Sequence, residues 1–246
     1  MSNISQAARE RAPILMPTLL SFVAGYVDSY TYLALFGLFA AQVTGSFVVA
    51  GAELVRHDYG IVGKALAILA FLASGALTAA LIGAVHRREW PALSLMLALE
   101  TVLLGIFAAM MLFGPPIESV TDWYGIAAGL FAAMAMGTQS VLVRLLMRGV
   151  PQTNVMTGNM TQLAIESTEL VNAWLRKLRD PNRQNSEEFA AGGKRLWVVL
   201  NVAVAFLAGT AAGAIAYATV GVGGLLFAAA IVATLASRAL FLEWQP

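Results

Sequence analysis

Residues 153–166 read TNVMTGNMTQLAIE, and a weaker copy at residues 42–53 reads QVTGSFVVAGAE. Thr157-Gly158 falls on Thr44-Gly45 and Glu166 falls on Glu53, both 113 residues apart. Each copy follows a long apolar run. A polar Thr-Gly-Asn or Thr-Gly-Ser step in that place is costly, because irregular backbone at membrane depth is tolerated only where protein buries it or it lines a wet cavity. The pair therefore marks two interruptions in the interior of a membrane protein, and the rest of the chain is arranged around them.

Composition agrees. Hydrophobic residues make up 59% of the 246 and charged residues only 12%, against about a quarter charged in soluble domains. With no cysteine, disulfides, thiolate metal sites and cysteine nucleophiles are excluded. His57 and His86 stand in polar connections beside charged residues and read as solvated loop histidines, so no metal site and no cofactor is expected. Arg9 and Arg11 ahead of an apolar run resemble a signal peptide. The run from Ile14 goes on to Phe36, however, with an acid at Asp28 and no clear small-residue cleavage site, so it reads as a first membrane helix.

A spanning helix needs about 20 mostly apolar residues. Six segments qualify: Ile14 to Phe36, Ile61 to Val85, Trp90 to Phe113, Trp123 to Leu146, Leu196 to Val220 and Val222 to Leu242. The stretches Val43 to Val55 and Val155 to Trp174 are too short or too polar to cross comfortably. Lys and Arg favour short cytoplasmic connections. If both awkward stretches re-enter and the N-terminus is cytoplasmic, Arg9, Arg11, Arg87, Arg88, Arg144, Arg148, Arg176, Lys177, Arg179, Arg183, Lys194, Arg195 and Arg238 gather inside. Only Arg56 and Lys64 are left outside, and the connection with Glu118 and Asp122 falls outside too. This arrangement predicts an all-α, polytopic protein in one membrane domain, with about six spans, two re-entrant half-helices and cytoplasmic termini.

The order span, Thr-Gly half-helix, span, span occurs twice, over 14–113 and 123–242. Phe71-Leu72-Ala73-Ser74-Gly75 also resembles Phe206-Leu207-Ala208-Gly209-Thr210, 135 residues on, the longer offset absorbed by a polar cytoplasmic loop at 176–194 with an amphipathic helical lead-in. An odd number of spans per unit inverts the second unit, a plan common in transporters with a midplane site.

Asp28, inside the first span, and Glu100, near the centre of the third, are intramembrane acids and so candidates for proton or ion coupling. Gln139 takes the approximate repeat position of Asp28. Arg144 is a candidate partner for Glu100, or snorkels to the interface like Arg238. The N-terminus of a half-helix aims free N–H groups and positive dipole into the protein, which suits an anion or a polar ligand. Thr44, Gly45, Ser46, Thr157, Gly158 and Asn159 are therefore candidate substrate-binding residues, joined by Gln139 and Asn154, with Gln42, Gln152 and Gln162 near in sequence. Ser74-Gly75, Gly209-Thr210 and Gly213 read as close helix packing, and Trp90, Trp123, Trp197 and Trp244 as interfacial anchors. No metalloprotease, nucleophile-elbow or phosphate-loop motif occurs, and no enzyme chemistry is expected.

GYVDSYTYL and QVTGSFVVAG in the first half, with GTQSVLVRLL and TNVMTGNMTQLA in the second, resemble the YoaK-like family of bacterial inner-membrane proteins, a domain of unknown function, over roughly residues 14–242. The resemblance implies about six spans in a bacterial inner membrane and no known substrate. Ser46 departs from it where an asparagine like Asn159 is expected. The residues themselves point to a secondary transporter or channel for a small polar or anionic solute, proton-coupled, with the two Thr-Gly ends sharing one site. The alternative is a non-transporting scaffold or sensor whose polar core is structural. Partners are then the lipid bilayer and a small solute, with no nucleic acid; a homo-oligomer stays open.

Overall fold

The computed structural model describes residues 2–56, 60–179 and 186–243, and contains no strand among them. Helices follow in the order α1 (Ser2–Ala34), α2 (Val43–Arg56), α3 (Ile61–His86), α4 (Ala92–Phe113), α5 (Trp123–Leu146), α6 (Met156–Arg179), α7 (Ser186–Val220) and α8 (Leu225–Glu243), with a 3₁₀ turn, Gly221–Gly224, before α8. His57, Arg183 and Trp244 lie outside the described residues. His86 is the last residue of α3 rather than part of a loop, with Nδ1 3.0 Å from the Ile82 carbonyl.

Four described stretches are long and apolar enough to cross a membrane: Ile61–His86, Ala92–Phe113, Trp123–Leu146 and Phe189–Glu243. The last, 55 residues long, holds most of α7, the 3₁₀ turn and α8. α1 is not among them, because Asp28, Tyr26, Tyr30 and Tyr32 dilute its apolar run. α2, with 14 residues, is about 21 Å long, short of a hydrocarbon core of about 30 Å. α6 has the length, at 24 residues, but not the apolar composition.

Within the polar segment at 176–194 helix extends beyond the expected lead-in: α6 runs on to Arg179 and α7 already begins at Ser186. Polarity marks where water is and does not stop a helix; Ala190, Ala191, Lys194 and Arg195 are all good helix formers. The fourth element starts at Ala92 instead of Trp90, since Glu89 takes a positive φ of 56° and Pro91 holds extended backbone at the N-cap.

α1 packs along α7, α3 along α5, and α4 against both α5 and α8, while α6 leans on α7 and α2 on α3. Glycine makes the α1–α7 and α3–α5 crossings possible. A Cβ on Gly25 would overlap the carbonyl of Phe206, one on Gly209 the backbone of Phe22, and one on Gly137 the carbonyl of Phe71. Small residues let backbones approach in this way and supply much of helix association in lipid. The outer faces are apolar, with Leu69, Leu72, Leu77, Val102, Leu207, Ile215 and Phe227 exposed, whereas Ser21, Asp28, Thr78, Glu100, Thr138 and Gln139 are buried. Trp90 and Trp123 stand exposed at helix ends, as anchors do, whereas Trp197, also exposed, lies inside α7 because that helix begins at Ser186.

Candidate functional site

The first interruption is the connection from Leu35 to Gln42. Phe36 and Gly37 turn the chain with φ of 52° and 79°. Asp28, 2% exposed, then fixes the strand of backbone that leads into α2: its Oδ1 accepts from the Ala41 amide at 2.6 Å and its Oδ2 from the Gln42 amide at 3.1 Å. The Ser46 hydroxyl donates back to the Phe39 carbonyl, 2.9 Å away.

The second interruption is the connection from Met147 to Val155, turned at Gly149 with φ of 78°. Asn159 Nδ2 donates to the Gln152 carbonyl at 2.6 Å. That bond is the counterpart of the one made by Ser46, because in each copy the residue after Thr-Gly reaches back seven positions. Ser46 therefore does with a hydroxyl what Asn159 does with an amide, and no role needs an amide in both halves. Gln139, fully buried on α5, donates through Nε2 to the Thr153 hydroxyl at 2.8 Å and to the Leu20 carbonyl at 3.0 Å. Ser21 on α1 donates to the carbonyl of Thr153 at 3.0 Å and to that of Val202 at 2.7 Å.

The glutamates that close the two motifs also match. Glu53 Oε1 meets Lys64 Nζ at 2.6 Å, binding α2 to α3, and Glu166 Oε2 meets Arg195 Nε at 3.0 Å, binding α6 to α7. Lys64 is 2% exposed and Arg195 56%.

The expectation of one site shared by the two Thr-Gly ends does not fit this geometry. α2 and α6 make no contact among the described residues. Both connections rest on α1, one at Asp28 and the other at Ser21, seven residues and so about 10 Å apart along the helix. Each end opens on its own cavity: one of about 310 Å³ beside Asp28, Phe39, Gln42 and Thr210, the other of about 600 Å³ beside Arg144, Gln152, Gly158, Asn159 and Lys194. Thr44 and Thr157 are exposed, Gly45 packs on the ring of Phe39, and the Ser46 and Asn159 side chains are used up locally. Gln139 and Asn154 are brought together through Thr153. Glu100 is fully buried with no hydrogen-bond partner for either oxygen among the described residues, and Arg144 lines the larger cavity instead of pairing with it.

Buried hydrogen-bonding groups without partners are rare in native proteins, and here they cluster. Four of the seven such side-chain atoms among the described residues belong to Gln139, Gln152 and Asn154: three amide oxygens and the Asn154 nitrogen. Sequence reasoning missed Ser21, Thr153, Lys64 and Arg195. The 113-residue spacing of the glutamates pointed to a shared task for Glu53 and Glu166, but their partners stand 11 and 29 residues further on, in each case on the next helix.

Apolar spanning helices wrapped around a polar, partly unsatisfied interior define a multi-pass helical membrane protein. The family model for a protein of unknown function (DUF1275) matches residues 16–237, and the chain belongs to that family. It is 27% identical over 151 residues to the UPF0700 transmembrane protein YoaK of Bacillus subtilis (strain 168), a match that covers 59% of this chain and 63% of that protein, less than two thirds of its length. No solved structure matches.

Proposed function

We propose that the protein is a secondary transporter for a small polar or anionic solute, proton-coupled, in a bacterial inner membrane. The carrying observation is the set of unspent amide atoms on Gln139, Gln152 and Asn154, of which Gln152 lines a cavity of about 600 Å³, while buried Asn154 adjoins it in sequence and buried Gln139 through Thr153. Leaving such atoms unpaired costs about 1–3 kcal/mol each, a cost that a ligand removes. A purely structural polar core is favoured by Asp28, Ser46 and Asn159, which are satisfied within the fold. It leaves these amides unexplained.

In this proposal α1, α3, α4, α5, α7 and α8 cross the membrane, α2 and α6 do not, and both termini are cytoplasmic. α1–α4 and α5–α8 form the two inverted units. Helix pairing supports this: exchanging α1 with α5, α2 with α6, α3 with α7 and α4 with α8 turns the α1–α7 contact into α5–α3, the α2–α3 contact into α6–α7, and α4–α8 into itself. Gly25 on Phe206 likewise exchanges with Gly137 on Phe71. Burying an unpartnered charge is expensive, so Glu100 is assigned the coupled proton, with Asp28 at the second cavity.

Purified protein in liposomes tests this: an imposed proton gradient should drive uptake of a solute found by a ligand-stabilisation screen. Gln139→Ala should lose most of the uptake, and Glu100→Gln should retain solute exchange but lose the response to the gradient. Wild-type protein that moves no solute bound in the screen would sink the transporter reading.

A further inference from the structure

The larger cavity carries a second chemistry besides its amides. Arg144, Lys194 and Arg195 line it against a single carboxylate, Glu166. Arg195 is engaged by Glu166 at 3.0 Å and by Glu169 at 3.5 Å. Arg144 and Lys194 make no ion pair among the described residues. Positive charge is thus in excess at a cavity of about 600 Å³, a volume suited to a small molecule.

The first turn of α6 forms part of the same wall. Val155, in the capping position, has no side-chain acceptor, and Asn159 is already bonded to the Gln152 carbonyl. The only loop-to-helix backbone bond there is from the Asn159 amide to the Val155 carbonyl, 3.2 Å. The amides of Met156, Thr157 and Gly158 are the donors a helix leaves open at its start, and the dipole favours an anion before them. Gly158 lines the cavity, and a Cβ there would meet nothing closer than Val155 at 3.7 Å, so the backbone is open to approach.

The unspent amides stand on one side of this cavity, where Gln152 alone of the three reaches its wall. Gln152 lines the cavity, and Asn154, 3% exposed, lies two residues on in the same connection, with Gln139 joined through Thr153. Three of the four open atoms are oxygens, so they call for donors.

We propose that this cavity binds a small organic oxyanion, a carboxylate or phosphate, that also carries hydroxyl or amino groups. Arg144, Lys194 and the first turn of α6 hold the anionic group, and Gln152 with Asn154 beyond it receives the donors. That the ligand is the transported solute rests on the transporter reading; the oxyanion site does not. The headgroup of an anionic lipid offers the same chemistry, and the test separates the two sources.

Thermal unfolding of the purified protein is followed with glycerol 3-phosphate, inorganic phosphate or glycerol added, and in nanodiscs of phosphatidylglycerol or phosphatidylcholine. Glycerol 3-phosphate should raise the melting temperature saturably and more than phosphate, with glycerol inert. Arg144→Gln with Lys194→Gln, both exposed side chains, should fold normally and weaken binding about tenfold or more, and Arg144→Lys should restore part of it. Charge-dependent stabilisation by phosphatidylglycerol alone upholds the oxyanion site with a lipid headgroup in it and removes the solute role. Stabilisation unchanged in the charge-removed variant overturns the proposal while leaving a neutral-solute transporter standing. No stabilisation by the soluble ester or by phosphatidylglycerol overturns it outright.

Discussion

Asp28 shows how far a residue's role depends on backbone that its own sequence neighbours do not reveal. An acid inside a membrane helix invites a coupling role, and Asp28 does border a cavity of about 310 Å³. Its first task is nonetheless to hold two backbone amides of the α1–α2 connection. Asp28→Ala strands both donors and should cost about 2–4 kcal/mol. Asp28→Asn keeps one acceptor but sets an NH₂ against the other amide, and should cost about 1–2 kcal/mol. Thermal unfolding in detergent checks both; an Asp28→Ala variant as stable as wild type would remove the clamp.

At the scale of elements, close helix crossings give the sharpest test. Gly25 and Gly137 each lie against a carbonyl of the facing helix. Alanine at either should force the helices apart and cost about 1–3 kcal/mol, whereas at Gly105, with nothing within 4 Å, it should be neutral or stabilising by up to about 1 kcal/mol. Equal unfolding temperatures for the three variants would contradict the packing. The sequence made the two connections legible because their fastening is local: Ser46 and Asn159 bond seven residues back, so the device is copied whole wherever the motif is copied. The apolar helices were legible for the same reason, since their composition is local too. What joins distant elements was not. Ser21 finds Thr153 at a separation of 132 residues, and Asp28 meets peptide amides, which every residue has and which leave no mark in a sequence. The separation of the two Thr-Gly ends likewise follows from their resting on α1 two turns apart, a matter of packing.

For the whole molecule, the absence of cysteine provides a clean background for topology. Ser119, between α4 and α5, and Arg148, between α5 and α6, are both exposed. A membrane-impermeant maleimide should label Ser119→Cys in intact cells and Arg148→Cys only after permeabilisation. The opposite result would invert the orientation, and labelling of both in intact cells would mean that α5 does not cross. The two ion pairs that close the Thr-Gly motifs are buried from opposite sides. Parting Glu53 from Lys64 leaves an ammonium group, 2% exposed, with the Phe36 carbonyl at 3.3 Å and no counter-charge among the described residues, which costs several kcal/mol. Parting Glu166 from Arg195 frees a half-exposed guanidinium to solvent and to Glu169, but leaves the buried Glu166 carboxylate with the Gln162 amide in place of a cation. One fastening hides its cation and the other its anion, so neither α2 from α3 nor α6 from α7 can part without leaving a charge out of water.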